Sequence, residues 1–235
     1  MTRMSTMPSK VVGIIGGMGP EAGVDLVYKV IKLSPAKRDQ EHLHVILDNY
    51  SQIPDRSAYI LGRGENPLPY LIESVLRLKG AGAEIFAMSC NTAHYFYEDI
   101  VKETGVYMLH IARESMREVA SHGVKGPVGV LGTVGTVKGR IYEGFGYDVI
   151  YPDERYLTML MDAIYTIKSG VYGRPAILIQ RVIDHMVDKG AAALIMACTE
   201  IPLVKDKIRS PLPLIDATLA LAKGIVREAY GLKDM

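Results

Sequence analysis

Short, mainly apolar runs, each followed by glycine or by small polar residues, punctuate this 235-residue chain. Lys10–Ile15, Ala83–Ala87, the start of the stretch Gly126–Phe145 and Ala191–Ile195 are too short for helices and rich in residues suited to strands buried on both faces. Shorter strands are expected at His44–Leu47, Val106–Leu109, Tyr147–Ile150 and Leu214–Ile215. Between them the apolar period changes to that of helices. Leu26, Val27, Val30 and Ile31 follow Pro20, which suits a first helical position. Further helices are expected at Tyr70–Lys79, from about Asn91 to Glu103, at the end of the stretch Gly126–Phe145 after its glycine turn, and at Ile111–His122, Glu154–Lys168, Pro175–Lys189 and Ala217–Tyr230, with a short one from Pro202 to Arg209. Tyr50–Pro69 has proline, glycine and charge without period and reads as a long loop, and residues 1–9 read as a loose leader.

Strands alternating with helices predict an α/β fold with mostly parallel sheets flanked by helices. The pattern also repeats. Gly13-Ile14-Ile15-Gly16-Gly17 is echoed by Gly129-Val130-Leu131-Gly132-Thr133, and Lys79-Gly80-Ala81 by Lys189-Gly190-Ala191. Two pseudo-symmetric subdomains follow, one of residues 10–104 with 216–235 and one of residues 105–215, with an active site in the cleft between them.

Composition narrows the field without choosing within it. Apolar residues make up 49% and charged residues 23%, with a net charge of +1 and no basic face to attract nucleic acid. No apolar run approaches the roughly 18 residues of a membrane span, and the first residues lack a signal core. A cytoplasmic protein with reduced thiols is the expectation.

Two motifs carry chemistry. Gly17-Met18-Gly19-Pro20-Glu21-Ala22 matches a dinucleotide fingerprint, which would make the protein an NAD-linked oxidoreductase. The acidic residue at the next strand's end, Asp48, stands too far on to support it. The second motif is a pair. The only cysteines, Cys90 and Cys198, each follow a buried strand and precede a helix start, at equivalent places in the two halves. Ligands of parallel α/β sheets bind beyond the strands' carboxyl ends, and helix-start N–H groups favour a thiolate there. One thiolate would suggest a nucleophile. Two facing thiols, one thiolate and one thiol, suit removal of a Cα proton from one face and its return to the other, a scheme that requires neither nicotinamide nor a pyridoxal Schiff base nor a metal. A non-catalytic redox module in which the two cysteines pair is the competing reading.

Asn91, Thr92, Thr133, Thr136 and Thr199 add polar groups near this cleft, and Arg56 and Lys168 could hold a carboxylate. His94 and Glu200 adjoin the cysteines and could tune them; a packed helical histidine and a helix-start carboxylate are the competing readings.

Taken in order, GIIGGMGPEA (Gly13 to Ala22), AKRDQEH (Ala36 to His42), QIPDR (Gln52 to Arg56), CNTAH (Cys90 to His94), Gly132 to Thr136 and CTE (Cys198 to Glu200) resemble the aspartate/glutamate racemase superfamily, most of all its cofactor-independent aspartate racemases. The resemblance implies two similar α/β subdomains, a homodimer, and an acidic amino acid as substrate. It implies Cys90 and Cys198 as the two bases, with Asp55, Arg56, Ser57, Asn91, Thr92, Ala93 and Lys168 contacting substrate and Met18 and Gly19 in the glycine turn beside it. GGMGP in place of the opening typical of glutamate racemases favours aspartate. Asn49-Tyr50-Ser51 before QIPDR and Ser89 before the cysteine depart from the family pattern.

Overall fold

The computed structural model describes residue 8 and residues 10–232, so the leader expected at 1–9 lies almost wholly outside the described residues. The first sheet is built from β1 (Val12–Ile15), β2 (Val45–Asp48) and β3 (Ile85–Met88) in the order β2-β1-β3. The second contains β4 (Val128–Gly132), β5 (Val149–Ile150), β6 (Ala193–Ala197) and β7 (Leu214–Asp216) in the order β5-β4-β6-β7. Every pairing is parallel. β1, β3, β4 and β6 are buried at every position, as unbroken apolar runs in a covered parallel sheet require.

The internal repeat is visible in the topology. β1 and β4 are central, and each is flanked by a cysteine-bearing strand, β3 or β6. Met108 forms a parallel bridge to Phe86, beside β3 as β7 lies beside β6. The strand expected at Val106–Leu109 is thus reduced to this single bridge.

Nine α-helices are formed by the described residues: α1 (Pro20–Leu33), α2 (Arg56–Ile60), α3 (Leu68–Gly80), α4 (Tyr97–Thr104), α5 (Ile111–Ser121), α6 (Val134–Lys138), α7 (Glu154–Lys168), α8 (Gly173–Asp188) and α9 (Ala217–Tyr230). Helix α9 returns from the second sheet to pack on α1 and α5. Val12 and Ile14 of the first sheet, Val128 and Ile195 of the second, Ile111 of α5 and Leu221 and Ile225 of α9 consequently belong to one continuous core.

Other expected elements differ as well. The helix expected after Cys90 is broken into a 3₁₀ turn, Thr92–Phe96, followed by α4. The one expected to run on towards Phe145 is only α6, and the chain leaves it through Arg140 at φ 54°. The long loop contains α2, whose start is capped by Asp55 accepting from the Ala58 N–H at 2.8 Å.

Candidate active site

The cleft is assembled from turns at the carboxyl ends of strands. Met18 follows β1, Cys90 to Thr92 follow β3, Thr133 follows β4, and Cys198 to Glu200 follow β6. Helices add the rest. Asp55, Arg56 and Ser57 come from the start of α2, and Ile164, Tyr165 and Lys168 from the last turns of α7. All of these line one cavity of about 20 Å³, room for about one water.

Close approach of the two halves depends on small residues. A Cβ on Gly135 would lie 2.6 Å from both Ser57 Oγ and Thr92 Cγ2, so only glycine lets α6 reach α2 and the Cys90 turn. Gly17, at φ 87°, would place a Cβ 2.2 Å from the Tyr50 carbonyl carbon. The glycine turn thus serves chain crossing. Its Gly19 N–H, which a phosphate would seek, donates instead to Glu200 Oε1 at 2.9 Å. That arrangement gives no support to the dinucleotide alternative.

The cysteine-bearing turns touch each other directly. Thr199 donates its hydroxyl proton to the Ser89 carbonyl at 3.2 Å, so the residue after one cysteine grips the residue before the other. Both cysteines are free and buried. A hydroxyl cluster closes one side: Thr92 and Thr133 share a hydrogen bond at 2.8 Å, Thr136 sits 3.1 Å from Thr92, and Ser57 donates to Thr133 at 3.3 Å. Tyr165 donates to Asp55 Oδ2 at 3.1 Å across the rim.

Among the described residues, two donors of the cleft have no hydrogen-bond partner. Asn91 is buried, its Oδ1 accepts from the Tyr142 hydroxyl at 2.5 Å, and its Nδ2 has no acceptor. Arg56 uses Nη1 to donate to the carbonyls of Ile53 and Pro54, at 3.2 and 2.9 Å, while its buried Nε has no acceptor. Unpaired buried donors are costly and are rare unless a ligand completes them.

Electrostatics corrects one sequence expectation. Cys198 was expected to gain thiolate character at a helix start. Instead burial pushes its thiol well above the ordinary range, and the charge of Glu200 adds to this, only partly offset by Lys168. The Cys198 Sγ donates to Glu200 Oε2 at 2.9 Å, and the 3₁₀ segment that follows, Ile201–Lys207, is no regular α-helix. Lys168 hydrogen-bonds Glu200 Oε1. Burial acts to lower the Lys168 pKa, but Glu200 and the two sulfurs outweigh it and raise it.

Among the residues expected from sequence, Thr136 supports the hydroxyl cluster from behind, and Ala93 is fully buried in the core; neither lines the cavity. Gly19 lies beside it through Glu200. His94 is a structural residue. Its Nε2 accepts from the Ile111 N–H at 3.1 Å, which leaves Nδ1–H to donate to the Cys90 carbonyl at 2.8 Å. Ile164 and Tyr165 were missed, although they stand one turn before Lys168 on its helix face. Among the described residues no group of three or more His, Cys, Asp or Glu could hold a metal ion, and no helix is long and apolar enough to cross a membrane.

Residues 15–225 match the family described as Asp/Glu/Hydantoin racemase. The chain belongs to that family. As an Asp/Glu/hydantoin racemase family member it is an isomerase, an amino-acid racemase, with the α/β fold of the solved racemases. Picrophilus torridus aspartate racemase superposes with a TM-score of 0.82 at 29% identity, over 97% of this chain and 100% of that one. The broad specificity amino-acid racemase RacX of Bacillus subtilis (strain 168) is 32% identical over 224 residues, 92% of this chain and 96% of RacX. A glutamate racemase of Pseudomonas aeruginosa (strain UCBPP-PA14) is 27% identical over 209 residues, 84% of this chain and 76% of that protein.

Proposed function

We propose that this racemase interconverts L- and D-aspartate by two-base proton transfer between Cys90 and Cys198, with no cofactor taking part. The observation that carries the reading is that the two cysteines line one cavity, on turns joined by Thr199 and Ser89 and delivered by equivalent strands of a duplicated fold. One thiolate removes the Cα proton and becomes a thiol. The other thiol protonates the opposite face of the carbanion and becomes the thiolate. Mirror-image substrates need such near-equivalent bases. The free donors Asn91 Nδ2 and Arg56 Nε supply partners for carboxylate oxygens, Arg56 with the planar geometry that carboxylates match. The likeness to the Picrophilus aspartate racemase supports the choice of aspartate.

One observation favours a broader substrate range. Lys168 is already neutralised by Glu200, and Asp55 stands beside Arg56, so the cleft presents no surplus positive charge for a side-chain carboxylate. The likeness to RacX points the same way.

Both readings are tested by incubating the protein with a panel of L- and D-amino acids in deuterated water and following Cα deuterium and optical rotation. Aspartate alone exchanging and inverting supports the first; neutral amino acids inverting at comparable kcat/KM supports the second. Cys90→Ala and Cys198→Ala should each lose inversion by about 10³-fold or more. Full inversion by either variant rejects the two-base scheme. A cytoplasmic homodimer completes the proposal, supported by an exposed apolar stripe on α1: Val24, Tyr28 and Ile31.

A further inference from the structure

The two sulfurs of the cleft are not equivalently placed. Cys198 Sγ donates to Glu200 Oε2 at 2.9 Å. The second oxygen of that carboxylate is fully engaged, accepting from the Gly19 N–H at 2.9 Å and from Lys168 Nζ. Glu200 is therefore fixed from three sides, by the turn after β1, by α7 and by its own turn. Its side chain is only 4% exposed. With Lys168 and the Gly19 N–H holding one oxygen, the other oxygen is a committed acceptor facing sulfur. A carboxylate at that distance welcomes an S–H and repels a thiolate. Cys90 has a different setting. His94 holds its carbonyl, and among the described residues no carboxylate is hydrogen-bonded to its sulfur. The groups whose charge bears on Cys198 are Glu200, Lys168 and Tyr142, and Cys90, Asp55, Arg56 and Tyr165 line the same cavity. Of the two cations, Lys168 is shared with Glu200 and, through space, with both sulfurs, and Arg56 donates Nη1 to the Ile53 and Pro54 carbonyls.

We infer that Glu200 is a positioning residue that keeps Cys198 as the thiol and leaves the thiolate of the free enzyme on Cys90. The inference rests on the two-thiol reading above and adds a direction to it. The free enzyme is ready for the enantiomer whose Cα–H faces Cys90. In that turnover the Cα–H bond breaks towards Cys90, forming its S–H, and the Cys198 S–H bond breaks to form the new C–H, leaving a Cys198 thiolate against Glu200. The opposite enantiomer needs that disfavoured protonation state at the outset. L- and D-forms have equal free energy, so kcat/KM must be the same in both directions. The asymmetry instead appears as a higher kcat together with a higher KM for the enantiomer deprotonated by Cys198.

The deciding experiment is alkylation of the free protein with iodoacetamide across a pH series, with Cys90 and Cys198 quantified separately by peptide mass spectrometry. The pH midpoint of each reaction is the readout, because midpoints, unlike rates, do not depend on access. In the wild type, Cys198 should react with a midpoint about one pH unit or more above that of Cys90, the scale of one hydrogen-bonded charge. In Glu200→Gln the Cys198 midpoint should fall by about as much, and the kcat and KM of the two enantiomers should converge. Equal midpoints in the wild type, or a Cys198 midpoint unmoved in folded Glu200→Gln, overturn the inference. If the variant does not fold, the wild-type comparison decides alone. A wild-type protein that shows the separated midpoints yet exchanges no Cα proton in deuterated water would sink the racemisation scheme and leave the thiol assignment standing.

Discussion

The Tyr142 hydroxyl donates to Asn91 Oδ1 at 2.5 Å, joining a fully buried tyrosine of the second half to the residue after Cys90 in the first. Tyr142 has Ser115 Oγ as its other neighbour, at 3.5 Å, and burial pushes its hydroxyl pKa well up, so it stays a neutral donor throughout the working pH range. This bond fixes the orientation of the Asn91 amide and aims the unpartnered Nδ2 away from Tyr142.

Tyr142→Phe keeps the ring and removes the bond. An acceptor left unsatisfied in this setting costs about 1–3 kcal/mol, and the amide becomes free to rotate. We expect kcat/KM to fall by about 10-fold or more, mostly through KM, while Tm changes modestly. Steady-state kinetics beside a thermal melt checks this. Unchanged KM would show that Asn91 Nδ2 does not meet substrate.

Lys168→Met should be costlier for stability than for contact area. It strands the Glu200 carboxylate, whose side chain is 4% exposed against 26% for Lys168. Breaking a buried pair from one side typically costs about 3–5 kcal/mol. Adding Glu200→Gln to Lys168→Met should therefore restore part of the loss. Urea unfolding of the two single variants and the double variant closes the cycle; a double variant less stable than Lys168→Met would contradict the pairing.

His94 gives the protein an acid-sensitive support beneath Cys90. Burial lowers its pKa to about 4, and protonation would turn Nε2 into a donor facing the Ile111 N–H. In the unfolded chain the same imidazole takes up a proton near its ordinary ~6.5. The unfolded state thus binds more protons between these values, and the contribution of His94, fully present above about pH 6.5, is lost as pH falls towards 4, by about 3 kcal/mol in all. His110, lowered to about 2 by burial and by neighbouring His94, acts in the same direction. His94→Gln should be less stable at neutral pH but lose less between about pH 6.5 and pH 5. Urea midpoints at several pH values read this directly.

The apolar stripe on α1 tests the oligomer. Val24, Tyr28 and Ile31 follow helical spacing and are each about half exposed, at 55, 56 and 46%. Tyr28→Glu should shift a dimer to monomer in light scattering without altering the fold. A dimer unaffected by this change would place the interface elsewhere.

Much of this architecture was legible before any coordinates. The strands β1, β3, β4 and β6 announce themselves because a strand buried on both faces must be apolar at every position. Their equivalence followed from repeated glycine and cysteine turns. The broken helix after Cys90 was not legible, because its backbone is decided by partners distant in sequence, such as the Ile111 N–H that engages His94. Nor was the state of Cys198. A helix start suggested a thiolate, whereas the group touching the sulfur is a carboxylate two residues on, held in place by Lys168 and Gly19. Glu200 was visible as a letter of the motif; its direction was a matter of tertiary contact. Ile164 and Tyr165 could have been found by treating Lys168 as one position of a helix face.

The bond from Thr199 to the Ser89 carbonyl lies between the cysteine turns, whereas Tyr165–Asp55 lies at the rim and Tyr172 donates to exposed Glu21 Oε2 at 2.5 Å. A space of about 20 Å³ admits no amino acid until something yields. If the outer latches release first, the molecule gapes like a clamshell about its floor. The reacting atoms then keep their spacing while the door swings.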